Sequence, residues 1–103
     1  MNGITPNKAM KKRHDLMREI GCILCLREGQ RTPPEIHHIS GCKTQDDHAN
    51  TLALCYWHHM ADQQNPPEVR YTSRHPNKAA FERRYGTEQE LLEYQNRLID
   101  GRV

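Results

Sequence analysis

The stretches Cys22-Ile-Leu-Cys25 and Cys55-Tyr-Trp-His58 decide the fold, because each places two metal-binding side chains three positions apart. Cysteine and histidine pairs at this spacing bind zinc as one closed tetrahedral site. We therefore predict that these four side chains bind a structural Zn2+, and we favour metal over disulfides because histidines are interleaved with the cysteines. Cys42 has no partner at such a spacing, so we interpret it as a bystander thiol.

The composition indicates a small hydrophobic core that needs stabilisation by a metal ion or a cross-link. The chain has 103 residues, of which 35% are hydrophobic, with one tryptophan and one phenylalanine. Short domains this poor in apolar residues are commonly stabilised by metal ions or disulfides. We predict one domain over residues 1–103, with a core at about 20–65 and helical flanks at 5–20 and 75–100. Neither a signal peptide nor a membrane-length apolar run is visible, which predicts a cytoplasmic protein of a bacterial or phage-infected cell without a membrane partner.

The formal net charge of +2 is small, but the basic residues are concentrated in two segments. Residues 1–20 and 68–85 each carry a net positive charge, whereas the segment between them and the tail after them are net negative. Two basic flanks around a histidine-rich centre would suit a phosphate backbone that passes over the site. For any single residue, the alternative is a solvated helix face. The predicted DNA contacts are Lys11, Lys12, Arg13, Lys78, Arg83 and Arg84.

The central part of the sequence predicts two strands and a helix. Strands are expected at 35–39 and 51–54, separated by a polar loop over 41–50. A helix should then run from residue 55 to residue 64, where a proline pair stops it. This order places the helix across the strand pair.

The flanks are predicted to be helical. A first helix should begin at Thr5-Pro6 and stop at Gly21, after which residues 21–34 form a metal knuckle rather than a helix. A helix is expected from about residue 75 to residue 84. A last helix should follow the capping-box sequence Thr87-x-x-Glu90.

Three histidines of the central part are expected to converge. His37 and His38 are adjacent on the first predicted strand, so their side chains point to opposite faces and cannot serve one ion in the same way. His59 lies on the helix predicted to pack across that strand. A divalent ion against a phosphate and a base that activates water are the parts that phosphodiester hydrolysis requires.

The layout resembles an HNH (ββα-metal) nuclease, in which paired histidines, an asparagine and a further histidine form the site. The resemblance implies that His37 and His59 bind the catalytic ion, that His38 is the general base and that Asn50 positions the base or the strand. Asn50 stands five residues before Cys55, as in many HNH sequences. Imidazole ligands suit Zn2+, Ni2+ or Mn2+, whereas Mg2+ prefers oxygen, so the identity of the catalytic ion stays open.

A narrower resemblance covers roughly residues 14–94. It is to the recombination-enhancement, RecA-dependent nuclease family of phages and prophages. The family implies that His48, seven residues before Cys55, shares or replaces the role given to Asn50, and that His75 is a third ligand of the catalytic ion or a phosphate contact. The residues that carry the resemblance are 20–25 (IGCILC), 36–39 (IHHI), 54–59 (LCYWHH) and 75–86 (HPNKAAFERRYG).

These observations predict an α+β protein with a small zinc-stabilised ββα-metal core and flanking N-terminal and C-terminal helices. The function expected is that of an endonuclease that hydrolyses DNA with little sequence specificity in phage or prophage recombination. Its partner would be DNA, either alone or in a RecA-like recombinase filament, and the protein would be a monomer or homodimer. The alternative is a zinc-stabilised DNA-binding or adaptor module without catalysis.

Overall fold

The fold is α+β, with a two-stranded sheet surrounded by helices. A computed structural model describes residues 4–41, 43–59, 72–74 and 78–101. The predicted α+β class is confirmed, whereas the predictions for Cys42 and His75 lie outside the described residues. The elements are α1 (Lys8–Ile20), α2 (Ile23–Arg27), β1 (Glu35–His38), α3 (Gln45–Ala49), β2 (Thr51–Leu54), α4 (Tyr56–His59), α5 (Lys78–Tyr85) and α6 (Glu88–Asp100).

α1 forms the N-terminal flank. Its N-cap is Asn7, whose side-chain oxygen accepts a hydrogen bond from the Met10 amide at 2.9 Å, so the start predicted at Thr5-Pro6 was too early. The helix stops at Gly21 as predicted. There φ is +88°, and a Cβ would lie 3.0 Å from the Thr32 carbonyl oxygen. A left-handed backbone packed this closely requires glycine.

β1 and β2 pair antiparallel in a register that places His37 opposite Leu52. Both predicted strands are confirmed, and the first is one residue shorter than predicted because it ends at His38. Side chains alternate between the two faces of a strand. Glu35 and His37 therefore lie on one face of β1, and His38 lies on the other.

The connection between the strands is not the simple polar loop predicted over residues 41–50. It contains α3, which begins with a capping box. The Thr44 hydroxyl accepts a hydrogen bond from the Asp47 amide at 3.2 Å, and the Asp47 carboxylate accepts one from the Thr44 amide at 3.1 Å. Aspartate stands at N3, where glutamate or glutamine is more usual, so the sequence lacks the common capping-box signal. α3 buries His48 and contacts α1.

Residues 21–34 also contain a helix, α2, where a metal knuckle without a helix was predicted. The Cys22 sulfur accepts a hydrogen bond from the Cys25 amide at 3.5 Å and so caps the N-terminus of α2. Thiols are not among the usual capping groups, so the sequence carries no ordinary start signal for this helix. The Cys-x-x-Cys spacing is thus the first turn of a helix.

α6 packs on α1 and β2, and its predicted capping box is confirmed by reciprocal hydrogen bonds of 2.8 and 3.1 Å between Thr87 and Glu90. The fully buried Gln95 of α6 pairs with the edge of β2 that β1 leaves uncovered. Its side-chain oxygen Oε1 accepts a hydrogen bond from the Ala53 backbone amide at 2.7 Å, and its side-chain nitrogen Nε2 donates one to the Thr51 carbonyl at 2.8 Å. Gln95 thereby satisfies backbone groups that would otherwise be buried without partners.

The remaining described helices are α4 and α5. α4 is the start of the helix predicted at 55–64, and residues 60–64 lie outside the described residues. Trp57 on α4 is 48% exposed. α5 agrees with the helix predicted from 75 to about 84 over its described residues, and it buries Phe81 completely. No helix in the described residues is both long and apolar enough to span a membrane.

Candidate metal centre and active site

Three cysteines and one histidine converge where α2, the end of β2 and α4 meet. The Cys55 and Cys22 sulfurs lie 3.2 and 3.4 Å from Nδ1 of His58. The Cys25 sulfur lies 3.7 Å from that nitrogen and 3.7 Å from the Cys55 sulfur. All four side chains are buried. Among the described residues, they are the one group of three or more potential ligands whose donor atoms all lie within 4.8 Å of one another.

These separations fit a tetrahedral zinc ion. Zn–S bonds of about 2.3 Å and Zn–N bonds of about 2.0 Å, at tetrahedral angles, place ligand atoms roughly 3.5 to 3.8 Å apart. The three described cysteines are free thiols. A hydrogen bond between the Cys22 and Cys55 sulfurs raises the pKa of Cys22 and lowers the pKa of Cys55, which favours the thiolate form of Cys55 that a metal ion binds. The residues predicted as the structural zinc site can therefore bind a metal such as zinc.

α5, in the C-terminal flank, packs against this cluster of three cysteines and one histidine. The Tyr85 ring contacts the His58 ring edge-on with centroids 5.1 Å apart, and it packs on Phe81 at 5.0 Å. The phenol oxygen of Tyr85 also accepts a hydrogen bond from the Thr72 backbone amide at 3.0 Å. Burial raises the pKa of the Tyr85 phenol. The metal centre thus lies under aromatic packing rather than in open solvent.

His37 lies on the face of β1 that is turned toward α6. Its Nε2 atom is 2.6 Å from Oε2 of Glu88, and the two residues are only 2% and 4% exposed. Burial lowers the pKa of His37 to about 4, because the contact with Glu88 offsets desolvation only in part. The ring is therefore neutral at pH 7. Because a carboxylate only accepts hydrogen bonds, its single proton is on Nε2.

Glu88 connects three side chains on this face. Its Oε2 atom also accepts a hydrogen bond from Nε of Arg74 at 2.7 Å, and Nζ of Lys78 lies 3.8 Å from its Oε1 atom. Burial alone would raise the pKa of Glu88, but the hydrogen bonds from Arg74 and His37 outweigh it and leave the pKa below its usual value. Glu88 is thus an ionised carboxylate between a neutral imidazole and two cations.

His59 of α4 lies beside His37, with ring centroids 5.0 Å apart. Its Nδ1 atom is 2.8 Å from Oε1 of Glu35, which shares a strand face with His37. The structure therefore brings together the two imidazoles predicted to bind the catalytic ion, with two carboxylates next to them. The third predicted ligand, His75, lies outside the described residues.

His38 lies on the opposite face of β1 and is hydrogen-bonded to His48. Nε2 of His38 is 3.1 Å from Nδ1 of His48, and Nε2 of His48 is 2.7 Å from the Ile4 carbonyl oxygen. Because a carbonyl only accepts, His48 donates from Nε2, and in the neutral His48 ring Nδ1 then accepts from His38. The lone pair of the His38 ring is accordingly on Nδ1.

His14 of α1 completes this second imidazole cluster. Its Nε2 atom donates to the His48 carbonyl at 2.9 Å, and its ring centroid is 6.1 Å from that of His38. Burial, followed by the neighbouring His48 and His14 rings, lowers the pKa of His38. Burial also lowers the pKa of His14. His38 is therefore neutral at pH 7, which is the form that can accept a proton.

Asn50 was predicted to fill the middle position of the motif, but its hydrogen bonds to described residues come from its backbone. Its carbonyl accepts from the Ile39 amide at 3.1 Å, and its amide donates to the Asp46 carbonyl at 3.0 Å. The asparagine thus ends α3 and continues the strand pairing by one residue. Of the two predicted candidates, the structure places His48 rather than Asn50 against His38.

Residues 6–100 match the family model described as recombination enhancement, RecA-dependent nuclease. The chain belongs to this family. The narrower resemblance, to the recombination-enhancement, RecA-dependent nuclease family, is therefore confirmed, and the match covers both histidine clusters described above. No match was found among curated proteins.

The basic residues predicted to bind DNA differ in exposure in this member of the RecA-dependent nuclease family. Arg13 is the exception to the prediction of a basic surface, because it donates a 2.6 Å hydrogen bond to Asn96 of α6 and burial lowers its pKa. It links α1 to α6, which fits a structural role better than contact with a phosphate. The exposed residues are Lys11, Lys12, Lys78, Arg83 and Arg84.

Sequence reasoning missed part of the site of this RecA-dependent nuclease family member. His14 falls on the apolar stripe of α1, and Glu35 stands two residues before His37 on the same strand face, so both had a periodic signal. Glu88 had none, because its contact with His37 joins residues 51 positions apart. The missed residues are His14, Glu35, Arg74 and Glu88.

Proposed function

We propose that this chain is a metal-dependent endonuclease that hydrolyses DNA phosphodiester bonds with little sequence specificity, with residues 1–103 acting as one domain. Membership of a nuclease family supports the reaction class. One observation carries the proposal. Two consecutive histidines lie on opposite faces of β1, with His37 beside His59 on one face and His38 bonded to His48 on the other.

The two metal sites proposed here differ in kind. The three cysteines and His58 supply four protein ligands, which suits a closed structural Zn2+ site. His37 and His59, with His75 as the proposed third ligand, leave positions for water and phosphate. A divalent ion bound there would polarise a phosphate oxygen and stabilise the charge that develops on the leaving 3′ oxygen. Mn2+, Ni2+ and Zn2+ suit imidazole ligands, and Mg2+ is the oxygen-preferring alternative.

His38 acts as the general base in this proposal. Its Nδ1 lone pair accepts a proton from the attacking water while the water oxygen bonds to phosphorus and the bond from phosphorus to the 3′ oxygen breaks. The products are a 5′-phosphate and a 3′-hydroxyl, whose proton comes from solvent. His48 fixes the tautomer of His38 through the hydrogen bond to Nε2, and the Ile4 carbonyl fixes that of His48.

The substrate proposed is DNA, with a RecA–DNA filament as the form that the family name indicates. Lys78 lies next to Glu88 at the His37 face with its side chain 55% exposed, so it can reach a phosphate there. Lys11, Lys12, Arg83 and Arg84 are exposed on α1 and α5 and would extend the contact with the backbone.

A plasmid-nicking assay tests the function. Supercoiled plasmid and RecA-coated DNA are incubated with the zinc-loaded protein and Mn2+ or Mg2+, and the parent is compared with His38→Ala. We expect the parent to cut and the variant to retain zinc, fold and DNA binding while losing about 100-fold or more in rate. DNA binding without cutting by the parent would instead support a zinc-stabilised adaptor module. Equal cutting by both proteins would rule out His38 as the general base.

A further inference from the structure

We propose that Glu88 is a positioning residue that decides which nitrogen of His37 binds the catalytic ion. This inference rests on the proposed function, in which His37 is a metal ligand. It adds a residue from the C-terminal helix α6 to a site otherwise built from β1 and α4. It also assigns a coordinating atom to each of the two imidazoles.

The contact between Glu88 and His37 is short and shielded from water. The 2.6 Å separation joins two side chains that are both more than nine-tenths buried. The carboxylate is in turn fixed by Arg74, which donates to the same oxygen at 2.7 Å. The Glu88 amide donates to the Glu82 carboxylate at 3.0 Å, which fixes the backbone as well. Glu88 therefore has little freedom to turn away from the imidazole.

The chemistry of the pair follows from the direction of the hydrogen bond. An ionised carboxylate has no proton to donate, so Nε2 of His37 must carry one whenever this bond exists. A protonated ring nitrogen cannot bind a metal ion, and coordination is left to Nδ1. Carboxylates placed behind metal-binding histidines fix the tautomer and orientation of the ring in this way, and their loss typically weakens metal binding by about 10- to 100-fold.

His59 has the opposite arrangement. Its Nδ1 atom is 2.8 Å from the Glu35 carboxylate, which only accepts hydrogen bonds, so Nδ1 of His59 carries a proton and Nε2 is the atom left to bind a metal ion. The two imidazoles would thus reach one ion through different nitrogens. Glu35 is 45% exposed at its side chain, whereas Glu88 is 5% exposed, so the larger effect is expected at Glu88.

Two readouts test the inference on the zinc-loaded chain of residues 1–103. The first is the tautomer of each histidine, read from long-range 1H–15N spectra of the wild type before a second ion is added. We expect a proton on Nε2 of His37 and on Nδ1 of His59. A proton on Nδ1 of His37 would overturn the inference, and this result needs no variant to fold.

The second readout is Mn2+ affinity by titration calorimetry. We expect Glu88→Gln to bind Mn2+ about 10- to 100-fold more weakly than the wild type. Glu90→Gln is the matched control, because it removes one carboxylate from the same first turn of α6 and keeps a capping-box acceptor. Equal affinities for the two variants would overturn the role of Glu88. Failure of the proposed metal site is distinguishable, because His37→Ala would then leave the Mn2+ affinity of the wild type unchanged.

Discussion

His37 and His38 are consecutive in β1, yet their imidazoles belong to separate clusters on opposite faces of the strand. The His37 ring contacts Glu88 at 2.6 Å, and the His38 ring contacts His48 at 3.1 Å. One face combines two imidazoles with carboxylates and cations, whereas the other combines three imidazoles with a backbone carbonyl. In the proposed mechanism this arrangement separates metal binding from proton acceptance. Variants on the two faces should therefore differ in which kinetic quantity they change.

Cys25→Ser should release the structural ion and unfold the protein. Zinc binding contributes on the order of 10 kcal/mol to the folding of small metal-dependent modules, and a hydroxyl replaces one of three sulfur ligands poorly. Circular dichroism and zinc content per chain measure the effect. Cys42→Ser is the matched control and should keep both zinc and fold. A folded, zinc-bound Cys25→Ser protein would contradict the assignment.

His58→Ala and His59→Ala should have different consequences, although the two residues are adjacent. Nδ1 of His58 is within 3.7 Å of three sulfurs, so its loss should lower zinc content and thermal stability. His59 contacts Glu35 and His37 instead, so its loss should spare zinc and weaken only Mn2+ binding. Metal analysis and Mn2+ titration distinguish the two variants. Equal zinc loss in both would show that the two sites are not separate.

His48→Ala should slow DNA cleavage more than Asn50→Ala does. His48 supplies the hydrogen bond that sets the tautomer of His38, whereas the hydrogen bonds of Asn50 to described residues come from its backbone, which alanine keeps. We expect a loss of roughly tenfold or more for His48→Ala, with the Mn2+ concentration at half-maximal rate unchanged. Nicking rates at saturating Mn2+ give the comparison. A larger loss of rate for Asn50→Ala than for His48→Ala would show that Asn50, and not His48, fills the middle position of the motif.

Acid should destabilise the fold through His37. Its pKa falls from the usual 6.5 to about 4 in the folded protein because the ring is buried. The unfolded chain therefore binds a proton between these values that the folded chain does not, so the free energy of unfolding decreases as pH falls from 6.5 toward 4 and is unaffected by this group above 6.5. Over this pH range, protonation of His37 lowers the free energy of unfolding by about 3 kcal/mol.

Urea unfolding between pH 7.5 and pH 4.5 measures this dependence, with zinc content followed at each pH so that metal release is recognised. His37→Gln removes the titrating ring at similar size and should show a shallower loss of stability over the same window. Identical pH slopes for the wild type and His37→Gln would rule out His37 as the source.

The sequence predicted the parts of the fold whose signals are local. Ligand spacing gave the Cys22, Cys25, Cys55 and His58 cluster, and alternation along β1 gave opposite faces for His37 and His38. The start of α2 was missed because a thiol caps it, and α3 was missed because an aspartate completes its capping box.

The contacts that complete the candidate site could not be predicted from local patterns. The carboxylate of Glu88 reaches His37 only because α6 packs on the sheet, and the Gln95 side chain reaches the edge of β2 for the same reason. Neither contact follows from the residue type or from its spacing, since both depend on how distant elements pack together.

The most direct test is the dependence of the nicking rate on Mn2+ concentration for the wild type and His38→Ala. If the two faces of β1 separate metal binding from base catalysis, both proteins should reach half-maximal rate at the same Mn2+ concentration, and the plateau for His38→Ala should be about 100-fold lower or more. A wild type that does not cut at any Mn2+ concentration would contradict the account. So would a His38→Ala protein that needs more Mn2+ but regains the full plateau.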